Sequence, residues 1–323
     1  MARKFTSASG GFLARFYAYN SELLMIEEKR RVAFSSVMAA VFLTSFKFVV
    51  GLATGSLGIL SEALHSLLDL FAAIITYLSV KISDKPADRE YNYGHGKVEN
   101  LSALIQTVLL MITCFWIFYE AISRLITDDV HIEVTYWSYA VIITSIVIDF
   151  SRSRALFRVA KKHNSQALEA DALHFSTDIW SSSAVLVGLL CTDIFNFHYA
   201  DPIAALIVAS IILYICYTLG RKAINVLLDI APRQTVESVE AILKAHKEIK
   251  MYHNLKVRTA GADTFITFNI HVKPSTPFVE VHRFCDRLEK DIKEAIPRSE
   301  VFIHVEPQNK EHTKEEDLEN EGV

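Results

Sequence analysis

Two segments of this sequence repeat one pattern, a histidine followed four residues later by an aspartate. They are His65-Ser-Leu-Leu-Asp69 and His174-Phe-Ser-Thr-Asp178, and each lies within a largely apolar stretch. Residues four positions apart lie on one face of an α-helix, so each pair presents an imidazole and a carboxylate in the same direction. Two such faces turned toward each other offer four ligands, the number and kind that a tetrahedral Zn²⁺ ion accepts.

The composition indicates a protein that is partly membrane-embedded and partly soluble. Of the 323 residues, 51% are hydrophobic and 22% are charged, and the mean hydropathy is +0.25. The formal net charge of -4 gives no basic excess, so nucleic acid is not an expected partner. The four cysteines form no C-x-x-C pair, and we interpret them as packing residues rather than as a disulfide framework.

Six stretches are long and apolar enough to cross a lipid bilayer as helices. The two His-x-x-x-Asp pairs fall in the second and the fifth stretch. The predicted spans are residues 32–54, 57–80, 99–123, 135–157, 168–191 and 202–220.

Lysine and arginine are concentrated in alternate connections, which predicts the orientation of the chain in the membrane. The cations occur in residues 29–31, 81–97, 152–162 and 221–222, whereas the opposite connections, 53–56, 127–134 and 192–201, have none. We therefore expect a multi-pass protein of the plasma or inner membrane with both termini in the cytoplasm. Lys47, in the first span, is expected to extend toward the outer surface, and no site role is assigned to Glu62, Asp149 or Asp171.

Ionisable side chains within a membrane span are costly, so the histidines and aspartates of the repeated pattern need partners or a function. One alternative is that they only form hydrogen bonds between helices and hold the bundle together. The occurrence of two copies at equal spacing favours a metal site. Because a ligating histidine must be neutral and a ligating aspartate ionised, filling such a site releases protons and protonating it expels the metal.

After Asp229 the composition changes to that of a soluble domain. Helical periodicity over 235–249 and 278–296, and alternation typical of strands over 253–259, 264–273 and 300–306, predict the order α-β-β-α-β. This order is typical of a small two-layer α+β domain. The resulting organisation is an N-terminal cytoplasmic segment 1–31, a membrane domain 32–222, a cytoplasmic domain 223–308 and a disordered, acidic tail 309–323.

The soluble domain carries several further potential metal ligands. His253 and His271 lie on predicted strands, His282 lies on the second helix, and His304 and Glu306 share one face of the last strand. A single histidine of this kind is ordinarily a surface residue. Several potential ligands on converging elements predict a second metal cluster.

The sequence resembles the cation diffusion facilitator family of metal transporters, from the first span to Pro307. Three motifs carry the resemblance: Gly55-Ser-Leu-Gly-Ile-Leu-Ser-Glu-Ala-Leu-His-Ser-Leu-Leu-Asp69, Tyr93-Gly-His-Gly-Lys-Val-Glu99 and Ala170-Asp-Ala-Leu-His-Phe-Ser-Thr-Asp178. The resemblance implies that the second and fifth spans form the transport site, with both His-x-x-x-Asp pairs as its ligands. Members with aspartate at the position of His65 accept a broader set of metals, so histidine here resembles the zinc-preferring type.

The same resemblance implies two further features. Asp88 and His95 match ligand positions of a loop site, where Tyr91, a poor ligand at neutral pH, replaces a histidine that some members have. The cytoplasmic domain is expected to be ferredoxin-like and to form a homodimer around a metal cluster at the five positions named above. Glu306 stands where some members have aspartate.

These observations together predict a homodimeric Zn²⁺/H⁺ antiporter that exports zinc from the cytoplasm and is regulated by zinc in its cytoplasmic domain. An enzyme is not expected, because the sequence lacks a motif such as H-E-x-x-H that leaves a metal position open for water. Two alternatives remain open at this level. One is a membrane metal sensor that does not transport, and the other is a transporter whose main substrate is Cd²⁺, Co²⁺, Fe²⁺ or Mn²⁺.

Overall fold

The computed structural model describes residues 6–127, 136–195, 200–249 and 251–308. The chain separates into two compact units, with the division between Ile224 and Asn225. The predicted tail 309–323 lies outside the described residues, as does most of the predicted connection 127–134.

The first unit is built from six long α-helices, one for each predicted span. They are α1 (Thr6–Thr54), α2 (Leu57–Ser83), α3 (Lys97–Thr127), α4 (Tyr136–His163), α5 (Gln166–Phe195) and α6 (Ala200–Leu227), the last of which runs into the second unit. Helix α1 begins far upstream of the predicted span 32–54. Charged residues that end a membrane span do not end a helix, because they are good helix formers in water.

Four of the helices, among the residues that the structure describes, are long and apolar enough to cross a membrane. The segments are Leu23–Thr54, Ile59–Ser83, Lys97–Ser123 and Pro202–Leu227. Charged side chains interrupt the apolar sequence of α4 and α5. These two helices pack against each other, α4 also packs against α1, and α5 also packs against α2 and α3. Asp149 and Arg152 of α4 and Asp171 of α5 are buried, whereas the cations nearer the end of α4 are exposed: Arg154, Arg158, Lys161 and Lys162.

The connection between α1 and α2 brings these helices close together. Gly55 adopts a left-handed conformation with φ of 67°, which glycine tolerates without strain. Ser56 then caps α2, since its side-chain oxygen accepts a hydrogen bond from the Ile59 N–H. A Cβ atom at Gly51 would lie 2.8 Å from Leu60 Cδ2, so the glycine permits the close approach of the two helices.

A buried ionic network joins the middle of α1 to the ends of α2, α3 and α5. The Lys29 ammonium of α1 contacts Asp84, which follows α2, and lies 3.2 Å from Glu99 of α3. Glu99 also accepts a hydrogen bond of 2.5 Å from the hydroxyl of Ser165, the residue before α5. Removing one partner would leave a buried charge uncompensated, which costs about 3–5 kcal/mol. The network therefore fixes the helices that carry the His-x-x-x-Asp pairs.

The second unit confirms the predicted order α-β-β-α-β. Its elements are α7 (Arg233–Ala245), β1 (Met251–Ala260), β2 (Asp263–Val272), α8 (Phe278–Ala295) and β3 (Ser299–Pro307). The sheet order is β1-β2-β3, with β1 antiparallel and β3 parallel to β2. Apolar side chains of α7, α8 and the sheet form one core: Val239, Leu243, Val257, Ile266, Phe268, Ile270, Phe284, Leu288 and Ile292.

Candidate metal centre

Both His-x-x-x-Asp pairs meet between α2 and α5. His174 Nε2 lies 3.1 Å from Asp69 Oδ1 and 3.8 Å from Asp178 Oδ2. His65 Nε2 lies 3.9 Å from Asp69 Oδ1 and 4.0 Å from Asp178 Oδ1. Each imidazole therefore faces a carboxylate of its own helix and one of the other helix.

These separations suit a small divalent cation. Bonds to nitrogen and oxygen of about 2.0–2.2 Å in tetrahedral geometry place ligand atoms about 3.4 Å apart. Ligand atoms of Asp69, His174 and Asp178 already lie within 4.8 Å of one another. Two nearby buried atoms, His174 Nδ1 and Asp178 Oδ2, have no hydrogen-bond partner among the described residues. The arrangement can hold a metal ion after small side-chain adjustments.

A cavity adjoins these ligands and is lined by further charged groups. Its volume is about 60 Å³, which is room for a few water molecules or a partly hydrated ion. The ionisable residues that line it are Lys47, Glu62, His65, Asp69, Asp149 and Asp178. Asp69 and His174 are buried, at 8% and 5% exposure, whereas the His65 side chain is 36% exposed, so bulk water reaches the group from the side of His65.

The charged groups around this cavity make contacts that the sequence analysis did not assign. The ammonium of Lys47 is buried and lies 3.1 Å from Oε2 of Glu62, whose side chain is 56% exposed; the sequence did not predict this ion pair, and the extension of Lys47 toward the outer surface stays a prediction. Asp149 accepts a hydrogen bond of 3.1 Å from Arg152 and also lines the cavity. The spacing of Glu62, one turn before His65 on the same helix, was the signal that could have placed it there.

Asp171, one turn before His174, is fully buried. It accepts a hydrogen bond of 3.2 Å from the Ser36 hydroxyl, and the same hydroxyl accepts one of 3.1 Å from Arg152. The Arg152 guanidinium also lies 3.5 Å from the centre of the Phe175 ring. These contacts place Asp171 in a network that joins α1, α4 and α5, rather than at an open entrance.

The loop residues Asp88 and His95 are neighbours, with 3.5 Å between Asp88 Oδ2 and His95 Nε2. The Tyr91 ring packs on His95 with 4.4 Å between ring centres. Asp88 Oδ1 accepts hydrogen bonds from the backbone N–H groups of Tyr91 and Glu90, at 2.7 and 2.9 Å. These bonds lower the pKa of Asp88 by stabilising its charged form. The pair offers two ligands on a well-formed turn.

A second group of ligands lies on the sheet of the soluble unit. His271 and Glu306 are register partners on β2 and β3, with 3.4 Å between Nε2 and Oε2. His253, on β1, lies 3.2 Å from His271 and 3.8 Å from Glu306. Ligand atoms of the three residues fall within 4.8 Å of one another, so these three form a compact cluster, called here the sheet cluster.

The other two predicted ligands of this unit are placed differently. His304 Nε2 lies 3.5 Å from Glu306 Oε1, but its side chain is 57% exposed. His282, on α8, pairs with Asp286 at 3.8 Å and stacks on Phe278. Within one chain, His304 therefore borders the sheet cluster, and His282 is not among its three members.

Asn269 contacts the sheet cluster, although the sequence analysis did not include it. Its side-chain amide donates a hydrogen bond of 2.8 Å to Glu306 Oε1 and lies 3.2 Å from His253 Nε2. The alternation of Asn269 with His271 along β2 was the signal that could have included it, since both side chains face the same side of the sheet.

Membrane-length helices, two histidines and two aspartates that face one another between α2 and α5, and a separate α+β unit are the features of a membrane protein that binds metal cations. Residues 33–228 match the family model described as cation efflux transmembrane domain, and residues 231–308 match that described as cation efflux protein, cytoplasmic domain. The chain belongs to the cation efflux family. The resemblance predicted from the three motifs is confirmed, and the chain is a multi-pass membrane protein that exports divalent cations.

Two cation-efflux pumps of known description agree with this assignment, and the chain is also similar to two solved structures. The cation-efflux pump FieF of Cronobacter sakazakii is 32% identical over 284 residues, covering 86% of this chain and 92% of that protein. FieF of Klebsiella pneumoniae is 31% identical over 280 residues, with the same coverage. A solved structure of CzrB is 38% identical and covers 24% of this chain and 98% of its own, with a TM-score of 0.24. The metal-bound C-terminal domain of the CzcD transporter from Thermotoga maritima is 24% identical, covers 23% of this chain and 87% of its own, and has a TM-score of 0.22.

Proposed function

We propose that this protein exports Zn²⁺ from the cytoplasm in exchange for protons. In this proposal, His65, Asp69, His174 and Asp178 carry the ion through a bundle of six membrane-spanning helices. The protein works as a homodimer in the plasma or inner membrane, with both termini in the cytoplasm. The observation that supports this proposal most strongly is the facing arrangement of the two His-x-x-x-Asp pairs on α2 and α5.

The ligand types favour zinc. Two imidazole nitrogens and two carboxylate oxygens form a borderline donor set, and four such donors match the coordination number that Zn²⁺ prefers. Mg²⁺ and Ca²⁺ prefer larger sets of oxygen ligands, so the histidines disfavour both ions.

The charges of the site supply a reason for exchange with protons. Asp69 and Asp178 together carry two negative charges, which a bound divalent cation neutralises. When the metal leaves, two buried carboxylates would remain uncompensated, which is strongly unfavourable. Protons that enter the site relieve this cost, and they also convert the histidines to a form that does not bind metal.

The same geometry argues against hydrolysis and against a sensor that does not transport. Four protein ligands leave no coordination position for a nucleophilic water, which catalytic zinc sites keep open. A sensor would need only the sheet cluster, and the buried ligands on α2 and α5 would have no use.

The test is zinc uptake by proteoliposomes that contain the purified protein under an imposed pH gradient. The wild type should accumulate zinc and dissipate the gradient, and Asp178→Ala should abolish both. Glu169→Ala is the matched control, because Glu169 lies on the same helix in an ion pair of 2.5 Å with Lys222, on the surface and away from the cavity. The proposal fails if the wild type moves no zinc or if Asp178→Ala moves as much as the wild type.

The sheet cluster has a regulatory role in this proposal. Its three ligands leave a tetrahedral zinc ion one ligand short within one chain. Exposed ligands such as His304 and His282 of a second copy would complete the set, so cytoplasmic zinc favours the dimer. Zinc is thus both the transported substrate and a regulatory ligand.

A further inference from the structure

An ion pair in the cavity is not needed to complete the four-ligand site. Lys47 of α1 and Glu62 of α2 lie 3.1 Å apart, and both line the cavity beside His65 and Asp69. Lys47 is 5% exposed. A charged lysine buried in a membrane helix is costly, and an apolar residue would pack at this position without that cost.

One cation, Lys47, and four carboxylates, Glu62, Asp69, Asp149 and Asp178, line the cavity. Lys47 offsets Glu62 across 3.1 Å. Arg152, which lies outside the lining, contacts Asp149 at 3.1 Å and reaches Asp171 through the Ser36 hydroxyl. With neutral histidines, the lining therefore carries an excess of negative charge, which favours a cation and which Lys47 reduces by one unit.

We propose that Lys47, by offsetting Glu62, limits the negative charge of the cavity so that a divalent metal ion is bound tightly enough to be selected and weakly enough to be released. This inference rests on the proposed function and assigns Lys47 and Glu62 as residues that determine affinity and turnover. Neither residue is a ligand of the ion. They act on it electrostatically: the charge of Lys47 is buried and weakly screened, whereas the Glu62 side chain is 56% exposed and its charge is partly screened by solvent.

A purely structural role for the pair makes a different prediction. If the ion pair only held α1 against α2, loss of either partner would weaken the packing in the same way. The helices already approach each other closely at Gly51, where a Cβ atom would lie 2.8 Å from Leu60. If the ion pair sets the charge, loss of Lys47 and loss of Glu62 change zinc affinity in opposite directions.

The test compares Lys47→Met, Glu62→Gln and the double variant in proteoliposomes, with zinc affinity of the purified proteins measured by competition with a chelator. For the affinity measurement every protein also carries His271→Ala, which weakens zinc binding at the sheet cluster. Lys47→Met leaves one extra negative charge, so zinc should bind about tenfold more tightly and turnover should fall about tenfold because release slows. Glu62→Gln leaves one extra positive charge, so zinc should bind about tenfold more weakly and the KM for transport should rise by the same factor. The double variant restores the net charge and should return both quantities to within about threefold of the wild type.

Glu169→Gln combined with Lys222→Met is the control, because it removes an ion pair of α5 and α6 that lies outside the cavity. Opposite shifts in the two single variants and recovery in the double variant support the inference. Shifts in the same direction, or a double variant as impaired as the worse single variant, overturn it. A wild type that binds zinc but does not move it contradicts the proposed function, while the affinity measurements still test the charge-setting role.

Discussion

The two metal-ligand groups of this protein use the same side chains in different structural settings. On α2 and α5, the four candidate ligands come from one chain and are spaced by helix geometry, and His65, Asp69 and Asp178 line a cavity. On the sheet, three ligands come from three strands, and Asn269 already hydrogen-bonds to one of them. In each group three ligand atoms converge within 4.8 Å; the fourth helical candidate, His65, belongs to the same chain, whereas the proposed function takes the fourth ligand of the sheet cluster from a second copy.

This difference is informative about function. A site whose four ligands all come from one chain can hold an ion while the surrounding helices move, as transport requires. A site that lacks a ligand gains affinity for zinc when a second copy of the chain supplies one. Its occupancy therefore depends both on the zinc concentration and on the formation of the dimer. We expect substitutions in the first group to abolish transport and substitutions in the second to change its regulation.

The largest expected effect separates the two groups by replacing one carboxylate in each. Asp69→Asn keeps the shape of the side chain but removes a charge that the bound cation needs, so zinc transport should fall by about 100-fold or more. Glu306→Gln, the equivalent change in the sheet cluster, should lower the rate at saturating zinc by less than about threefold. Initial rates of zinc uptake into proteoliposomes measure both. Equal losses in the two variants would contradict the division of roles.

The second effect concerns the zinc dependence of the dimer. The segment 230–310 has its own apolar core, so we expect it to fold alone. Its dimer should tighten at least tenfold, measured by analytical ultracentrifugation, when zinc is added, because a ligand shared between subunits binds only the dimer. His271→Ala should remove this response, and acid should weaken it because protonated histidines do not bind zinc.

His246→Gln is the matched control for that measurement. His246 contacts Asp291 and the Phe284 ring, away from the sheet cluster, so its replacement should leave the zinc response intact. A dimer that is equally stable with and without zinc would remove the regulatory role from the sheet cluster.

The third effect concerns metal preference, which we assign to the helical site. His65→Asp replaces a nitrogen donor with an oxygen donor, and this should lower the preference for Zn²⁺ over Mn²⁺ by roughly tenfold. Competition of each metal with zinc uptake measures the ratio. His271→Asp should leave the transport preference unchanged, because the sheet cluster does not carry the ion. An unchanged metal profile in His65→Asp would remove the basis for proposing zinc as the preferred substrate.

Local patterns in the sequence predicted much of this molecule. The i, i+4 spacing of each His-x-x-x-Asp pair determines which side chains share a helix face, and two-residue alternation did the same for His304 and Glu306. Pairings between distant elements were missed. Glu62, the partner of Lys47, follows a reversal of the chain and is brought near by the packing of α1 on α2.

The soluble unit illustrates the same limit. The order of helices and strands followed from periodicity, but the position of His282 relative to the strands depends on how α8 packs on the sheet. The role of Asn269 depends on strand pairing, because His253 of β1 and His304 of β3 are its register partners. Local alternation places Asn269 on the same face as His271, but the strands that become its neighbours are set by tertiary structure.

The smallest expected effect tests whether Asn269 prepares the sheet cluster for metal. Its amide donates to Glu306 Oε1, which leaves Oε2 directed toward His271 and His253. Asn269→Ala removes this hydrogen bond and frees the carboxylate, which must then be ordered when metal binds. The zinc affinity of the segment 230–310 should therefore fall by about fivefold, which corresponds to the free energy of one hydrogen bond. Asn269→Asp should instead strengthen binding, because it adds a negative ligand at the same position. Titration with zinc against a chelator measures both variants. If Asn269→Ala binds zinc as tightly as the wild type, the amide does not orient Glu306, and the sheet cluster owes its geometry to strand register alone.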